Sequence, residues 1–452
     1  MLYTDCLFHR ASRRARCILV DTEPKVIRSM LRNQYDAAGW RLEPAHIHYE
    51  QSGRGNNWAM GYNLQTHQRN VLPSKSDTAS LVGVATTRTA KHKLRLAAAA
   101  TESKRELVEL VMESLRREIE AVDAYRGTML MHSLGGGTGA GLGCRLLETI
   151  RDTYPQSYLG AVSHLQEHTD WVVYKDNDEL MRTAWYWKSL VAPRDADGST
   201  PKVSLREMNA LVATDVAGLV FPMVRKHGER GLVAQPFDMA NLVHDCCPVS
   251  TVKFLDTRTG VSRNVSSKKV SVGSGDPLFH AVPTTSPTGG DDVEMSMVKL
   301  LRRTMQAFPR SASGGRAITA STVVRFASLG PHKVSGTDFF IKALDSDLPQ
   351  YHLDTRVPIQ HSLFAPFQSC SGRASVTVTL NNGHATPSIN HFIDRGRRQF
   401  EARAYTHWYK QYGLEDTDFE NALEQSTKII QSYDEMLHAR FKPRRSWHHE
   451  DV

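Results

Sequence analysis

The sequence predicts an α/β fold with a mostly parallel sheet, because short apolar strand patterns alternate with helical patterns. The clearest unit is 128–131, an apolar run short enough for a buried strand, followed by a glycine-rich stretch and a helical pattern over 142–150. A second unit begins with the buried-strand pattern 16–20, which is followed by acidic residues and a proline suited to a first helical turn. Further strand patterns lie at 322–326, expected to be half-buried, and at 374–380.

The glycine-rich stretch has the sequence SLGGGTGAG. A strand, a glycine turn and a helix together aim backbone N–H groups and the positive end of a helix dipole at an anion. Glycines let the backbone approach a phosphate without Cβ clashes, and hydroxyl groups add donors. We therefore predict a phosphate-binding loop. Its predicted ligand-binding residues are Ser133, Gly135, Gly136, Gly137, Thr138, Gly139, Ala140 and Gly141.

Other glycine-rich loops fit this stretch less well. A plain flexible surface loop would not be expected between such regular flanking elements. A Walker A loop needs a Lys-Ser/Thr pair, where this chain has Leu142-Gly143. A dinucleotide fingerprint needs an acidic residue about 20 positions later at a strand end, and neither Asp152 nor Asp170 ends a convincing strand. A dinucleotide-dependent oxidoreductase is therefore the weaker alternative.

Composition describes a soluble globular protein, with 40% hydrophobic and 23% charged residues among 452. The formal net charge of +8 is compatible both with an acidic partner and with a generally solvated surface. The six cysteines lack a Cys-x-x-Cys spacing, which is typical of a reduced, intracellular protein without a cysteine metal site. No apolar run approaches the roughly 18 residues of a membrane span. We expect a cytoplasmic protein with no membrane span and no nucleic-acid partner.

Asp21 and Glu23 directly follow the strand pattern at 16–20. Carboxylates at the C-terminal end of a strand face the crevice where open α/β sheets bind ligands. Close to phosphates they would repel unless Mg²⁺ or water lay between. We predict both residues as Mg²⁺ ligands, directly or through water.

Three segments, in this order, resemble the tubulin family: VDTEPKVI at 20–27, GNNWAMGY at 55–62 and GGGTGAG at 135–141. In tubulins the first orders Mg²⁺ and water near the γ-phosphate of GTP, and the second senses that phosphate. The resemblance implies that Glu23 and Asn56 contact GTP, with Mg²⁺ as the second cofactor. It also implies a three-layer nucleotide-binding domain, a mixed α/β intermediate domain and a C-terminal helical hairpin.

The resemblance also supplies candidates for base recognition and hydrolysis. Asn177 and Asn209 match the family's guanine-binding asparagines, whereas Leu205 replaces the aromatic residue that usually stacks on the base. In a gapless alignment Asn241 stands in place of the acid that activates hydrolysis in a neighbouring subunit, with Asp238 one turn earlier. An amide cannot act as a general base, so we expect at most a weak GTPase.

The resemblance covers most of 16–440 and divides the chain into domains. Gly413 is expected to end one C-terminal helix, and Asp416-Thr417-Asp418 to start the next. The predicted parts are a GTP-binding domain (1–220) with a basic, disordered insertion at about 64–105, an intermediate domain (221–385) with mobile loops at about 259–293, C-terminal helices (386–440) and a basic tail (441–452).

Among tubulins, the segments at 20–27, 55–62 and 413–419 look most like the δ type. That type implies a GTP-binding cytoskeletal protein of centrioles and basal bodies that acts in microtubule-based processes and cilium assembly. It further implies other tubulins and centriolar or basal-body proteins as partners, and a location in cytoplasm, cytoskeleton, centriole, basal body and cilium.

Two family segments have no counterpart in the sequence. One is the opening strand and first nucleotide loop, expected before Arg16. The other is a strand and nucleotide loop between Tyr158 and Ser163, where the chain is short. Losing two strands would leave unpaired ladder groups, so we favour an incomplete chain. The alternative is a divergent, nucleotide-free scaffold that keeps the fold.

Overall fold

The chain forms two compact units in a computed structural model. The loop unit is Leu7–Leu159 with Arg398–Asn421, and the sheet unit is Met1–Cys6, Gly160–Arg397 and Ala422–Val452. The predicted domain boundaries at 220 and 385 remain predictions, and the predictions for 64–105 and 441–452 fall outside the described residues. The structure describes residues 7–9, 14–34, 41–63, 106–162, 168–189, 202–220, 223–226, 232–235, 237–247, 249–264, 281–284, 290–308, 317–325, 359–365 and 375–438.

The loop unit combines short strands with helices. Its first two strands pair antiparallel and its next two pair parallel. The strands are β1 (Phe8–His9), β2 (Arg14–Ala15), β3 (Leu19–Asp21), β4 (Ile47–Tyr49) and β5 (Gly127–Met131). The helices are α1 (Pro24–Gln34), α2 (Trp58–Tyr62), α3 (Leu107–Glu120) and α4 (Gly143–Thr153), with a 3₁₀ turn at Pro44–His46 and a π-helical turn at Thr138–Leu142.

The core of the loop unit lies between α3 and α4. Leu107, Val111 and Leu115 are buried at helical spacing on α3, and Leu146 and Leu147 are buried on α4. This stripe has the period of 3.6 residues that is typical of an amphipathic α-helix. It places α4, which carries the glycine-rich loop at its start, on a rigid support.

Burial differs from the sequence expectation at two places in the loop unit. Among the residues of α1 whose burial is described, Ile27 is the one that is buried, while the apolar Val26 and Met30 are 57% and 46% exposed. The apolar residues 26, 27 and 30, expected to share one face of this helix, therefore do not form a continuous buried face. Strand β5 is half-buried rather than buried, and Met131 at its end is 53% exposed. The hydrophobic period and the secondary-structure propensity of the sequence predict where this helix and this strand lie. Which of their faces are buried depends on the segments that pack against them.

A group of charges around Glu118 ties the first strands of the loop unit to α3. The Glu118 carboxylate is 9% exposed and accepts hydrogen bonds from Arg14 and Arg16, each at 2.9 Å, and contacts His9 Nε2 at 3.0 Å. Two guanidinium groups on one buried carboxylate compensate its desolvation. This cluster therefore helps fix β1 and β2 against α3.

His48 gives this unit a dependence on pH. Its Nε2 lies 2.8 Å from Ser114 Oγ, and burial lowers its pKa to about 4. The unfolded chain binds the proton near pH 6.5, so protonation favours unfolding. We expect the free energy of unfolding to fall as pH decreases from about 6.5 to 4. Burial also lowers the pKa values of His46 and His132 in this unit and of His384 in the sheet unit, and all three act in the same direction.

Chemical denaturation at pH 7, 6 and 5 tests the contribution of His48. His48→Gln can keep a hydrogen bond to Ser114 but cannot be protonated, so the decline between pH 7 and 5 should become shallower. His407→Gln, at an exposed position, is the matched control. An equal pH dependence in wild type and His48→Gln would contradict the prediction.

The sheet unit is built on a mixed sheet. Its strands are β6 (Tyr158–Val162, starting at the unit boundary), β7 (Trp171–Val173), β8 (Met223–Lys226), β9 (Leu232–Gln235), β10 (Phe254–Asn264), β11 (Ala281–Thr284), β12 (Thr319–Arg325), β13 (Ile359–Ala365) and β14 (Ser375–Asn381). They follow the order β6-β7-β10-β14-β12-β13-β8-β9, with β11 beside β10. The helices are α5 (Asn177–Ser189), α6 (Leu205–Val220), α7 (Met239–Cys246) and α8 (Gly290–Gln306).

The pairing confirms the predicted α/β class. Strands β6, β7 and β10 are mutually parallel, as are β3 and β4 of the loop unit, whereas β14 joins β10 and β12 antiparallel. The parallel part is the pattern expected for a nucleotide-binding domain, and the mixed part is the pattern expected for the intermediate domain. Among the described helices, none is long and apolar enough to cross a membrane.

Three expectations are wrong for the sheet unit. A strand does form over Tyr158–Val162, in the segment thought too short for one, and it pairs with β7. Parts of the supposed mobile loops at 259–293 belong to β10, β11 and α8. Strand β12 is not half-buried, since Thr322, Val323 and Val324 are all buried between its two partner strands.

The predicted C-terminal helices are present. They are α9 (Thr386–Glu401), the short α10 (Thr406–Lys410) and α11 (Asp416–His438). Gly413 has a φ of +90°, and its N–H donates to Lys410 O at 3.0 Å, so it reverses the chain before α11 begins at Asp416. Further along α11, the buried Tyr433 hydroxyl accepts from Phe254 N–H at 2.7 Å and donates to Asn381 at 3.0 Å.

Candidate functional site

A cavity of about 320 Å³ opens at the glycine-rich loop, within the loop unit. Three separate segments form its wall: the turn after β3, the turn before α2 and the loop after β5. The lining residues are Glu23, Arg54, Gly55, Asn56, Ser133, Gly135, Gly136, Gly137, Thr138 and Gly139. Eight residues predicted from the sequence therefore meet at one cavity, although they come from three distant parts of the chain.

The glycine-rich loop is shaped by its own backbone. Ser133 Oγ donates to Gly135 O at 2.9 Å, and Gly136 has a φ of +92°, which favours glycine. A Cβ at Gly135 would meet nothing within 4 Å, so this residue faces open space. The π-helical turn that follows runs into α4, and the first N–H groups of a helix have no partner within it. The loop can thus present several backbone donors to an anion.

Close backbone packing holds the loop against α2. A Cβ at Gly61 would lie 2.7 Å from the carbonyl carbon of Gly137, and one at Gly141 would lie 2.7 Å from Tyr62 N. Both glycines are required by this approach. Ala140 and Gly141 are buried and do not line the cavity, so the structure gives these two predicted residues a packing position.

The acidic turn after β3 is joined to the glycine-rich loop through Thr22. This residue is fully buried, and its hydroxyl is hydrogen-bonded to the hydroxyl of Thr138. Asp21 accepts a hydrogen bond from Glu23 N–H at 3.1 Å and does not line the cavity. Glu23 does line it, with its carboxylate against Gly53. Of the predicted metal pair, Glu23 alone therefore reaches the cavity wall.

The turn before α2 brings an asparagine and an arginine to the cavity. Gly55 and Asn56 are both left-handed, with φ values of +52° and +53°, and such a conformation is tolerated best by glycine and asparagine. Asn57 then caps α2, since its side chain accepts from Met60 N–H at 3.2 Å. The tight reversal explains why the segment needs glycine and asparagine in this order.

Sequence reasoning missed two of the residues that line the cavity, Gly55 and the charged Arg54. Arg54 is only 4% exposed, and its guanidinium is paired with Glu50 and donates to Ser52 Oγ at 3.2 Å. The sequence did offer one indication of this role: Arg54 stands between Gly53 and Gly55 in the turn. Flanking glycines leave room for its guanidinium to approach an anion bound in the cavity. Its burial depends on contacts that are distant in sequence.

The charge on the cavity wall is close to balanced. Arg54 offsets Glu50, which leaves the Glu23 carboxylate to repel a polyphosphate unless a cation lies between them. His132 lies behind the loop with Nδ1 2.8 Å from Gly139 O, and burial lowers its pKa, so it adds no positive charge at neutral pH. A polyanion bound here would need Mg²⁺ or a similar ion at Glu23.

The residues predicted to contact guanine lie in the sheet unit and do not line the cavity. Asn177 is the exposed first residue of α5, and Asn209 is exposed on α6, one turn after Leu205, which is 73% exposed. Asp238 caps α7 by accepting from Ala240 N–H at 3.0 Å, and Asn241 is exposed. Their roles in base binding and hydrolysis remain predictions.

A second cluster of titratable groups in the sheet unit has a structural explanation. Glu179, Asp256 and His384 lie close enough to surround an ion. Arg258 already supplies positive charge there, since its guanidinium is paired with Glu179 and lies 3.0 Å from Asp256. We therefore assign this cluster to stability.

Comparison with known proteins finds similarity to one family. The family description "Tubulin/FtsZ family, GTPase domain" matches residues 84–181, which include the glycine-rich loop and α4. The chain is 22% identical to the tubulin beta-1 chain of Chondrus crispus over 448 residues, covering 92% of this chain and 80% of that protein. It is likewise 22% identical to the tubulin beta chain of Enteroctopus dofleini over 447 residues, covering 94% and 82%. This similarity supports the tubulin family, and the α/β fold of the structure agrees with the GTPase domain of that family.

Proposed function

We propose that this tubulin-family protein is a δ-tubulin-like cytoskeletal GTP-binding protein that uses its cavity for the phosphates of GTP with Mg²⁺. The observation that carries the proposal is the convergence of Glu23, Asn56 and the loop 133–139 on one cavity. Three features of the cavity favour a polyphosphate over a neutral ligand: the left-handed turn at Gly55 and Asn56, the exposed backbone of the glycine-rich loop, and the free backbone N–H groups expected at a helix N-terminus.

The residues of the cavity fit both parts of this ligand. The loop offers backbone N–H groups and the hydroxyls of Ser133 and Thr138 to phosphate oxygens, and Asn56 offers an amide. Mg²⁺ is usually held by one or two carboxylates together with phosphates and water, and Glu23 supplies such a carboxylate. Bound there, Mg²⁺ would neutralise phosphate charge. Asn177 and Asn209 are proposed for the guanine edge on the family resemblance.

The nucleotide content of the purified chain tests this proposal. Protein prepared in Mg²⁺ is denatured, and the released compounds are identified by chromatography. We expect GTP or GDP at about one per chain. A folded chain that releases no nucleotide would support the scaffold alternative, and a nicotinamide cofactor would support the oxidoreductase alternative.

Glu23 and Asp21 are expected to differ in their effect on Mg²⁺-dependent binding. Glu23→Gln should weaken GTP binding in Mg²⁺ by about tenfold or more, since it removes the carboxylate at the cavity. In EDTA it should not weaken binding, because without a cation this carboxylate only repels the phosphates. Asp21→Asn should have a smaller effect, because asparagine can still accept the hydrogen bond from Glu23 N–H. Titration calorimetry with and without Mg²⁺ measures both. Equal losses in the two variants would restore Asp21 as a metal ligand.

The δ-type assignment rests on the segments at 20–27, 55–62 and 413–419. We propose centrioles, basal bodies and cilia as the location, cilium assembly as the process, and other tubulins and centriolar or basal-body proteins as the partners. Imaging the tagged protein in ciliated cells tests this. We expect discrete signal at basal bodies, and uniform signal along cytoplasmic microtubules would contradict the δ assignment.

A further inference from the structure

Arg54 has a buried donor that its known contacts do not satisfy. Its Nη1 and Nη2 are hydrogen-bonded to Ser52 and Glu50, whereas its Nε is buried without a hydrogen-bond partner. Among the described residues that line the cavity, it is the one with such an atom. A buried unpaired donor is energetically unfavourable, so an acceptor is expected when the site is filled.

The position of Arg54 points to the source of that acceptor. A Cβ on Gly137 would lie 2.6 Å from Arg54 O and still closer to Arg54 Cβ, so the arginine stem lies directly against the glycine-rich loop. Glu50 and Ser52 fix the outer edge of the guanidinium, which limits the entropy lost on binding. Arginine recognises phosphate more strongly than a neutral donor does, because its hydrogen bonds are charge-assisted.

We propose that Arg54 is a phosphate-binding residue of this cavity, whose Nε–H donates to a phosphate oxygen of the bound nucleotide. This inference rests on the proposed nucleotide site and adds a cationic contact to it. Phosphate-bearing ligands should depend on Arg54, and the nucleoside alone should not. A residue with a purely structural role would affect both equally.

Binding of GTP, GDP, guanosine and inorganic tripolyphosphate is measured in Mg²⁺ for wild type, Arg54→Met, Arg54→Lys and Glu50→Gln. Arg54→Met keeps an apolar stem against Gly137 and should weaken GTP and tripolyphosphate binding by about tenfold or more, with guanosine unchanged. Arg54→Lys keeps the charge but loses the Nε–H, so an intermediate loss is expected. Glu50→Gln keeps an acceptor for Arg54 Nη2 and leaves the Nε–H in place, so its loss of GTP binding should be clearly smaller than that of Arg54→Met.

Three results would overturn the inference: unchanged GTP binding in Arg54→Met, a parallel loss of guanosine binding, or an equal loss in Glu50→Gln. Thermal unfolding of each variant checks that the fold is intact. If Arg54→Met does not fold, GTP binding by Arg54→Lys is compared with that of wild type instead, and unchanged binding would overturn the inference. Wild type that binds tripolyphosphate but neither GTP nor guanosine would refute the nucleotide function, while the tripolyphosphate series still tests Arg54. Wild type that binds none of the four ligands would refute both proposals.

Discussion

Replacement of Gly141 by alanine is expected to destabilise the loop unit and to weaken nucleotide binding by about tenfold or more, although Gly141 does not line the cavity. The new Cβ would lie 2.7 Å from Tyr62 N and 2.8 Å from the carbonyl carbon of Gly61, and closer still to Trp58 O. These are backbone atoms of α2, so no side-chain rotation can relieve the clash. Overpacking of this kind typically destabilises a protein by about 1–3 kcal/mol.

The weaker binding has the same cause, because the clash with the new Cβ would push α2 away from the glycine-rich loop. Helix α2 begins at Trp58, two residues after Asn56, and Gly137 packs on Arg54 and Asn57 O. A shift of α2 would therefore move one cavity wall away from the other. We expect at least a tenfold loss of GTP affinity, since a misplacement of about 1 Å weakens contacts that were set by geometry. Thermal unfolding and GTP titration measure the two effects.

Gly135→Ala is the matched control in the same loop. A Cβ there meets nothing within 4 Å, and this glycine does not have a left-handed φ. Its unfolding midpoint should stay close to that of wild type, whereas the midpoint of Gly141→Ala should fall. Equal midpoints for the two variants would show that the contact between α2 and the loop is not important for stability.

Local chemistry explains what the sequence could predict at this site. The need for glycine at 135–141, the acidic turn before Pro24 and the left-handed Asn56 are each expressed by a few adjacent residues, so their patterns can be recognised without knowing the fold. Arg54 is different. Its burial results from its approach to Gly137, about eighty residues away, and no pattern around 54 contains that information.

The wrong predictions for 259–264 and for β12 also arise from contacts between residues that are distant in sequence. Residues 259–264 are rich in polar and small side chains and were assigned to a mobile loop, yet they form part of β10. Thr259 is buried there and its hydroxyl contacts that of Thr377 on β14, so hydrogen bonding across the strands satisfies groups that a loop would expose to water. Strand β12 is buried on both faces because of its place in the sheet, which period alone does not reveal.

Removal of the Arg258 side chain is expected to destabilise the sheet unit strongly. Arg258 is 2% exposed, it is paired with Glu179 and Asp256, and it donates to Thr183 Oγ1 at 2.8 Å. Burial lowers its pKa to about 10, which still leaves it protonated at neutral pH. In Arg258→Leu the two buried carboxylates lose their counter-charge, and breaking a buried pair in this way destabilises by about 3–5 kcal/mol.

Arg116 offers a control with a similar set of ion pairs but a different environment. On the exposed face of α3 it is paired with Glu113 and Glu120, and half of its side chain is accessible. After Arg116→Leu, water stabilises the two remaining carboxylates, so denaturant unfolding should show little change. Adding Glu179→Gln to Arg258→Leu should recover part of the lost stability, because one uncompensated charge is removed. If Arg258→Leu were as stable as Arg116→Leu, ionic pairing at Arg258 would not be what stabilises the sheet unit.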